Sequence, residues 1–389
     1  MKITTEKKLV LEKIVDWLKD KNRPQYITLG GYAGTGKTTL IAIIRRLFHK
    51  KNSKIKIGLV SYTGKATRVL DDALKIQEAR FKQDHVGTIH SLIYAPIVNK
   101  SSDITGWKKK DSIDVKLIIV DEASMVDYQL WQDLLSFNIP IIAIGDHGQL
   151  PPVEGKFNLM EDPDLKLEII YRQAAHNPII ELSIEARTKG EIAVGKYGEH
   201  VEKIDQNSTE SQERVQDLLE KYDEETLILT GYNHTRVKIN NFIRQHKFFE
   251  PSEEPIVGDK VICLKNNHIK KIYNGMIGTI THIESIDEDA YYAEIDLGEI
   301  DYKGDIYKPQ FGANKTLNFI KGKRSKIRGL DLFDFGYALT VHKAQGSQAK
   351  RVILFEERFK QMDDDQWRRW LYTGITRAEK ELYIIGKNS

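Results

Sequence analysis

The stretch GGYAGTGKTTL, Gly30 to Leu40, separates Gly31 from the run Gly36-Lys37-Thr38 by four residues. A glycine-rich turn of this length lets backbone N–H groups wrap an anion, with Gly34, Thr35, Gly36, Lys37, Thr38 and Thr39 as the binding residues. Lys37 is placed to neutralise the β and γ phosphates of a nucleotide, and the Thr38 hydroxyl to complete a Mg2+ site. Downstream, LIIVDEASM ends an apolar run on Asp121 and Glu122. Asp121 suits a Mg2+ held through water, and Glu122 suits orienting or deprotonating an attacking water. IGDHGQLPPV ends another apolar run, with Gln149 placed to sense the terminal phosphate and report it to a neighbouring surface. The chemistry these residues support together is ATP hydrolysis.

Such residues need strands to hold them. QYITLGG, IKIGLVSY, VKLIIVDE and IPIIAIGD are short Ile- and Val-rich runs that end in small or acidic residues and are followed by helical pattern. That is how buried parallel strands with crossover helices read, and functional residues then gather at the strand ends. TTLIAIIRRLFHKK places Leu40, Ile43, Ile44 and Leu47 on one helical face, as a helix starting at the phosphate loop requires. A second set of strands begins at ETLILTGYN and resumes at FGYALTVHKAQG, RVILFEE and KELYIIG. Between these, VGDKVICLKN, YNGMIGTITHIES and AYYAEIDLGE alternate apolar and polar residues around Asn-Gly and Gly-Asp turns, which predicts a small inserted antiparallel barrel. Residues 191–224 are polar and weakly patterned and read as helix and loop.

With 389 residues the chain can hold two or three domains, and no apolar run approaches the roughly 20 residues of a membrane span. Charges scattered through the N-terminal residues argue against a signal peptide, so a cytoplasmic protein is expected. The single cysteine, Cys263, excludes an internal disulfide framework and a cysteine-based metal cluster. A net charge of +3 does not by itself announce nucleic acid, although basic clusters stand at WKKK (Trp107 to Lys110) and KGKRSKIR (Lys321 to Arg328).

The motif series resembles the superfamily 1 helicases, specifically their RecD-like and bacteriophage Dda-like branch. In order, the phosphate loop is followed by SYTGKAT (61–67), TIHSLIY (88–94), DEASM, GDHGQLPPV, IIYRQ (169–173), LTGYNHTRVKIN (229–240), ALTVHKAQGSQ (338–348) and LYTGITRAEKELYII (371–385). The resemblance implies an α/β fold with two RecA-like P-loop domains built on parallel sheets, the first over residues 1–175 with a β-hairpin insertion at about 94–115. The second is formed by residues 176–250 and 334–389, with a small SH3-like β-barrel inserted at 251–333. It implies Arg172 and Arg377 as arginine fingers. Charge spreads over the γ-phosphoryl oxygens in the transition state, and a planar, permanently charged guanidinium can meet it. Gly346 is expected to approach the γ phosphate and Tyr171 to lie against the base.

Two departures stand out. Lys7 and Lys8 occupy the stretch where relatives carry a glutamine that reads adenine, and the motif in which relatives place an aromatic before their asparagine reads TGYN, so that stacking there is shifted to Tyr232 or absent. For a translocating strand the resemblance implies contacts from Thr63, Lys65, Thr88 and His90 in the first unit and from Asn233, Thr340, His342 and Lys343 in the second. Ile104 and Trp107 are the wedge candidates in the hairpin. The expected activity is ATP-driven 5′ to 3′ movement on single-stranded DNA with unwinding of forked duplex DNA. The expected protein is a monomer in a bacterial or phage-infected cell. A translocase without strand separation, an enzyme acting on RNA and a nucleotide-gated binding switch stand as alternatives.

Overall fold

The structure, a computed structural model, describes residues 4–98, 104–151, 157–170, 177–248, 254–267, 269–270, 272–298, 300–317 and 329–387. Its first part runs α1 (Thr5–Lys19), β1 (Tyr26–Gly31), α2 (Lys37–Lys51), β2 (Ile57–Ser61), α3 (Gly64–Ile76), β3 (His85–Thr88), α4 (Ile89–Ile93), β4 (Tyr94–Val98) and β5 (Ile104–Lys109). It continues with β6 (Leu117–Asp121), α5 (Tyr128–Leu135), β7 (Ile141–Gly145) and β8 (Leu165–Leu167). Six of these strands form one parallel sheet in the order β3-β2-β6-β7-β1-β8. Every residue of β2, β6 and β7 is buried, which is why they read as unbroken apolar runs: helices cover both faces. The edge strands β3 and β8, "HVGT" and "LKL", are too short and too polar to stand out in the sequence.

α2 buries Leu40 through Arg45 over its N-terminal half. Leu47, expected on the same face, is 47% exposed, because that half is enclosed on all sides and the rest of the helix is not. Arg45 is itself fully buried against Asp84, whose second carboxylate oxygen accepts from the Ile57 N–H.

The chain then forms α6 (Pro178–Lys189), β9 (Gly195–Gly198), β10 (Val201–Asp205), α7 (Thr209–Glu220), β11 (Thr226–Thr230) and α8 (Asn233–Phe248). After an insertion it returns as β17 (Ala338–Thr340), β18 (Ala349–Phe355), α9 (Asp364–Ile375) and β19 (Ala378–Gly386). The second sheet has the order β17-β11-β18-β19-β10-β9, parallel except for the β9 edge. The helix-and-loop expectation for residues 191–224 therefore fails at β9 and β10. The buried strand β10 carries Lys203, neutralised by Glu356 at 2.6 Å, and a charge inside a five-residue strand hides its apolar pattern.

The insertion holds β12 (Lys260–Cys263), β13 (Ile277–Ser285), β14 (Ala290–Asp296), β15 (Asp301–Tyr307) and β16 (Phe333–Phe335), a five-stranded antiparallel sheet in the order β15-β14-β13-β12-β16. An Ile306–Asp331 bridge links its two edges. One ridge of α8, with residues spaced by four, fastens it to the second sheet. Arg236 pairs with Asp334 at 2.8 Å, Arg244 with Asp259 at 2.9 Å, and Asn240 between them accepts from the Ala338 N–H at 2.8 Å. β4 and β5 pair antiparallel as a separate two-stranded element of the first unit.

Candidate functional site

β1 and α2 are joined by a loop in which Gly34 and Gly36 adopt left-handed backbone angles, φ 80° and 78°, that only glycine takes without strain. The Thr35 hydroxyl closes the loop internally on the Tyr32 carbonyl at 2.8 Å. Lys37 folds back across it, donating to the carbonyls of Gly31 at 2.7 Å and Tyr32 at 3.1 Å, with Asp146 Oδ2 at 3.8 Å. Thr38 and Thr39 follow in the first turn of α2, whose N-terminus has no side-chain cap. The first amides of that helix and the Lys37 ammonium together make an anion site.

Asp121 ends β6, in register with Ser61 of β2. Burial, and then the neighbouring Glu122 carboxylate, push its carboxyl up to about 7, against the pull of Lys37 and of the Glu122 N–H that it accepts at 3.0 Å. Glu122 holds φ 53°, a left-handed angle costly for a non-glycine residue, and its Oε2 is buried with no hydrogen-bond partner among the described residues. A desolvated carboxylate beside an unsatisfied carboxylate oxygen is an environment that a divalent cation relieves, so the surroundings of Asp121 fit Mg2+. No cluster of three or more His, Cys, Asp or Glu able to hold a metal occurs among the described residues, so phosphate oxygens and water would have to supply the other ligands.

The second unit meets this loop directly. Tyr372 of α9, with its side chain fully buried, accepts from the Ala33 N–H at 2.7 Å and donates to Asp146 Oδ2 at 2.7 Å. Burial and the Asp146 charge raise its phenol well above its ordinary value, so it stays a neutral donor. Asp146 Oδ2 also accepts from Gln149 Nε2 at 3.3 Å, while Gln149 Oε1 is buried with no partner among the described residues. Around them Leu150 N donates to Thr373 Oγ1 at 3.0 Å, Gln345 Nε2 donates to the Leu150 carbonyl at 2.6 Å, and Arg369 donates to the His147 carbonyl at 2.7 Å.

Arg377, 2% exposed, donates to the carbonyls of Thr373 at 3.0 Å and Ser347 at 3.2 Å; no carboxylate partner for it is seen among the described residues. Gly346, at φ 71°, lies so close to Met125 that a methyl there would meet its sulfur at 2.9 Å. The structure thus joins Lys37, Gln149 and the helix leading to Arg377 through one carboxylate, Asp146. Tyr171 and Arg172 lie outside the described residues, as do residues 321–328. Lys7 is buried at the start of α1, where the neighbouring Glu6 accepts from the N–H groups of Glu168 and Ile169.

The strand-contact candidates gather at strand ends in both units. Thr63 and Thr88 follow β2 and end β3, and their hydroxyls cap α3 and α4 by accepting from Ala66 N and Ser91 N, both at 3.2 Å. A hydroxyl used in this way keeps its hydrogen for a phosphate oxygen. Lys65 donates to the Gln348 carbonyl across the seam. In the second unit Thr230 is in register with Thr340, so Asn233, which is exposed, and Thr340, His342 and Lys343 share one sheet edge. Burial lowers His342, leaving it neutral at pH 7, and lowers Lys343 to about 8. Tyr232 packs edge-on against Phe359 with ring centroids 4.7 Å apart.

The inserted sheet reaches both groups. The Tyr273 ring stands 5.3 Å from that of His90, and a methyl at Gly275 would lie 3.9 Å from the Lys343 carbonyl. Trp107 sits opposite Pro96 in the β4–β5 ladder, partly buried, with its indole N–H buried and without a partner among the described residues; the Ile104 side chain lies outside the described residues. Asp146, Tyr372 and Tyr273 were not singled out by sequence reasoning. The first two stand inside recognised motifs, but their contact spans more than two hundred residues.

Residues 17–155 match the family description "AAA domain", and residues 335–385 match "UvrD-like helicase C-terminal domain". The chain is 29% identical to the RecBCD enzyme subunit RecD of Buchnera aphidicola, over 98% of this chain and 73% of that one. It is 27% identical to the ATP-dependent RecD2 DNA helicase of Deinococcus radiodurans, over 93% of this chain and 47% of the relative. With the ATP-dependent DNA helicase dda of phage T4 it shares 24% identity, over 94% and 95%. The chain thus spans about three quarters of the RecD relative and about half of RecD2. No helix among the described residues is long and apolar enough to cross a membrane.

Proposed function

We propose that the chain, which is similar over nearly its whole length to the RecD and Dda helicases, is an ATP-hydrolysing DNA helicase of that branch that moves 5′ to 3′ on single-stranded DNA and opens forked duplexes. The observation that carries this reading is the Tyr372 bridge, which puts the second unit on the phosphate loop of the first.

ATP binds with its phosphates on the loop amides of residues 34–39, and Lys37 leaves the loop carbonyls for the β and γ phosphates. Thr38 and Asp121 would hold Mg2+, which would supply charge neutralisation at the phosphates. Glu122 orients the attacking water and takes its proton, and Gln149 reads the terminal phosphate through Asp146. Arg377, and by resemblance Arg172, meet the charge that spreads over the transferring phosphoryl group, a contribution of about 10³ to 10⁵ in rate. Tyr171 packs on the base and Gly346 lets the second unit approach the γ phosphate.

Closure and reopening of the seam shift the two strand-gripping edges relative to one another. One edge grips through Thr63, Lys65, Thr88 and His90, and the other through Asn233, Thr340, His342 and Lys343. The inserted sheet, read as an SH3-like barrel, covers the strand, and the β4–β5 hairpin with Ile104 and Trp107 parts the duplex. The test is strand displacement on forks with a 5′ or a 3′ tail, in DNA and in RNA. Displacement limited to 5′-tailed DNA forks is expected. ATP turnover without displacement, or displacement from 3′ tails, would overturn the unwinding or the direction.

A further inference from the structure

Tyr372 is built into the seam in a way the chemistry above does not use. A phenol offers one hydrogen and accepts at its oxygen, and both capacities are spent on the first unit: the hydrogen on Asp146 Oδ2 and the oxygen on the Ala33 N–H. Its ring packs edge-on to Tyr32, with centroids 6.0 Å apart, and against Gly148, where a methyl would sit 3.1 Å from the Tyr372 ring. Replacing the hydroxyl by hydrogen leaves a buried carboxylate and a loop amide each short of a partner.

Two features set this contact apart from ordinary packing. The carboxylate oxygen that accepts from Tyr372 is the one that accepts from Gln149 and faces Lys37. Arg377 is also tied by its Nε to the carbonyl of Thr373, the residue after Tyr372. The guanidinium is therefore referenced to the backbone of α9, and α9 is referenced to the phosphate loop through the phenol. Thr373 and Arg369 grip residues 147–150, whereas Tyr372 reaches the loop itself.

We propose that Tyr372 is a positioning residue: its hydroxyl, bridging Ala33 and Asp146, sets where Arg377 stands relative to the phosphates. This rests on the reading of Arg377 as an arginine that meets the γ phosphate. The interaction is charge-assisted on one side, and its loss acts on the step that needs the arginine in place rather than on nucleotide capture.

The experiment is a double-mutant cycle on the full chain, reading single-strand-stimulated ATP turnover for Tyr372→Phe, Arg377→Ala and the pair. Tyr372→Phe is expected to lower kcat about ten- to hundredfold with KM within about threefold. Added to Arg377→Ala, it should lower kcat no more than about twofold further, since the arginine it positions is gone. Thr373→Val, which removes a seam bond that does not touch the loop, should keep kcat within about threefold.

Losses that multiply in the double mutant, an unchanged kcat in Tyr372→Phe, or an equal loss in Thr373→Val would each overturn the positioning role while leaving the proposed function standing. An unchanged kcat in Arg377→Ala would instead remove the arginine from the site, and the inference with it. Should Tyr372→Phe fail to fold, Tyr372→His, which keeps a ring at the seam but has no single atom able both to accept from Ala33 and to donate to Asp146, replaces it in the same cycle with the same expectation.

Discussion

Lys343 is a cation kept where the fold would be better off without it. Burial, with Arg236 pushing the same way and Asp334 opposing, lowers its ammonium from 10.5 to about 8. A lysine whose folded value lies below its unfolded value has the opposite sign from a salt-bridged one. Between about pH 8 and 10.5 the unfolded chain carries a proton that the folded chain lacks, so stability rises with pH across that window. Below about pH 8 both states are charged and the full cost of holding the ammonium away from water is present. A gap of about 2.5 pH units at about 1.4 kcal/mol each gives that cost an upper value of about 3.5 kcal/mol.

Lys343→Met keeps the stem and removes the charge. In urea unfolding at pH 7 it should be more stable than the parent by about 2–3 kcal/mol, with the difference closing as the pH approaches 10.5. The same variant should bind single-stranded DNA more weakly, and the slope of log K against log salt should shallow by about 0.7. A variant that is less stable at pH 7, or a difference that does not change with pH, would refute the reasoning that the charge is held there against its own solvation.

Lys37→Ala should abolish ATP hydrolysis and strand displacement while single-strand binding, read by fluorescence anisotropy, persists; displacement at the parent rate would remove the phosphate loop from the mechanism. Gly148→Ala places a methyl 2.9 Å from the Tyr32 ring and 3.1 Å from that of Tyr372, and overpacking of this kind costs about 1–3 kcal/mol, visible as a lower melting temperature. Asp84→Ala strands the fully buried Arg45 without its counter-charge and should cost about 3–5 kcal/mol in urea unfolding; a loss below about 1 kcal/mol would mean that water reaches the guanidinium.

The parts that were legible in the sequence are those where local pattern and tertiary role coincide. β1, β2, β6 and β7 read as strands because both of their faces are covered, and the phosphate loop reads as such because its glycines serve a backbone need that Gly34 and Gly36 display. β10 was missed because the Lys203–Glu356 pair puts a charge where a buried strand should be apolar. Leu47 was misplaced because helical periodicity gives a face but not the length over which neighbours cover it.

At the site, residue types and motif order were readable, while the wiring was not. Asp146 is an unremarked aspartate in its motif until the fold delivers Lys37, Gln149 and Tyr372 to one of its oxygens. Likewise, nothing near YNG announces that Tyr273 will face His90, since that contact depends on how the inserted sheet is docked.

Arg236 and Arg244 rivet the inserted sheet to α8, and Asn240 between them donates to the Phe335 carbonyl of β16. A joint with two buried ion pairs resists shear, so in the proposed cycle any pull exerted on the insertion near Tyr273 passes into α8 without slack. Under the proposed cycle the insertion would travel as rigid cargo of the second sheet, with the stroke of the helix carrying it.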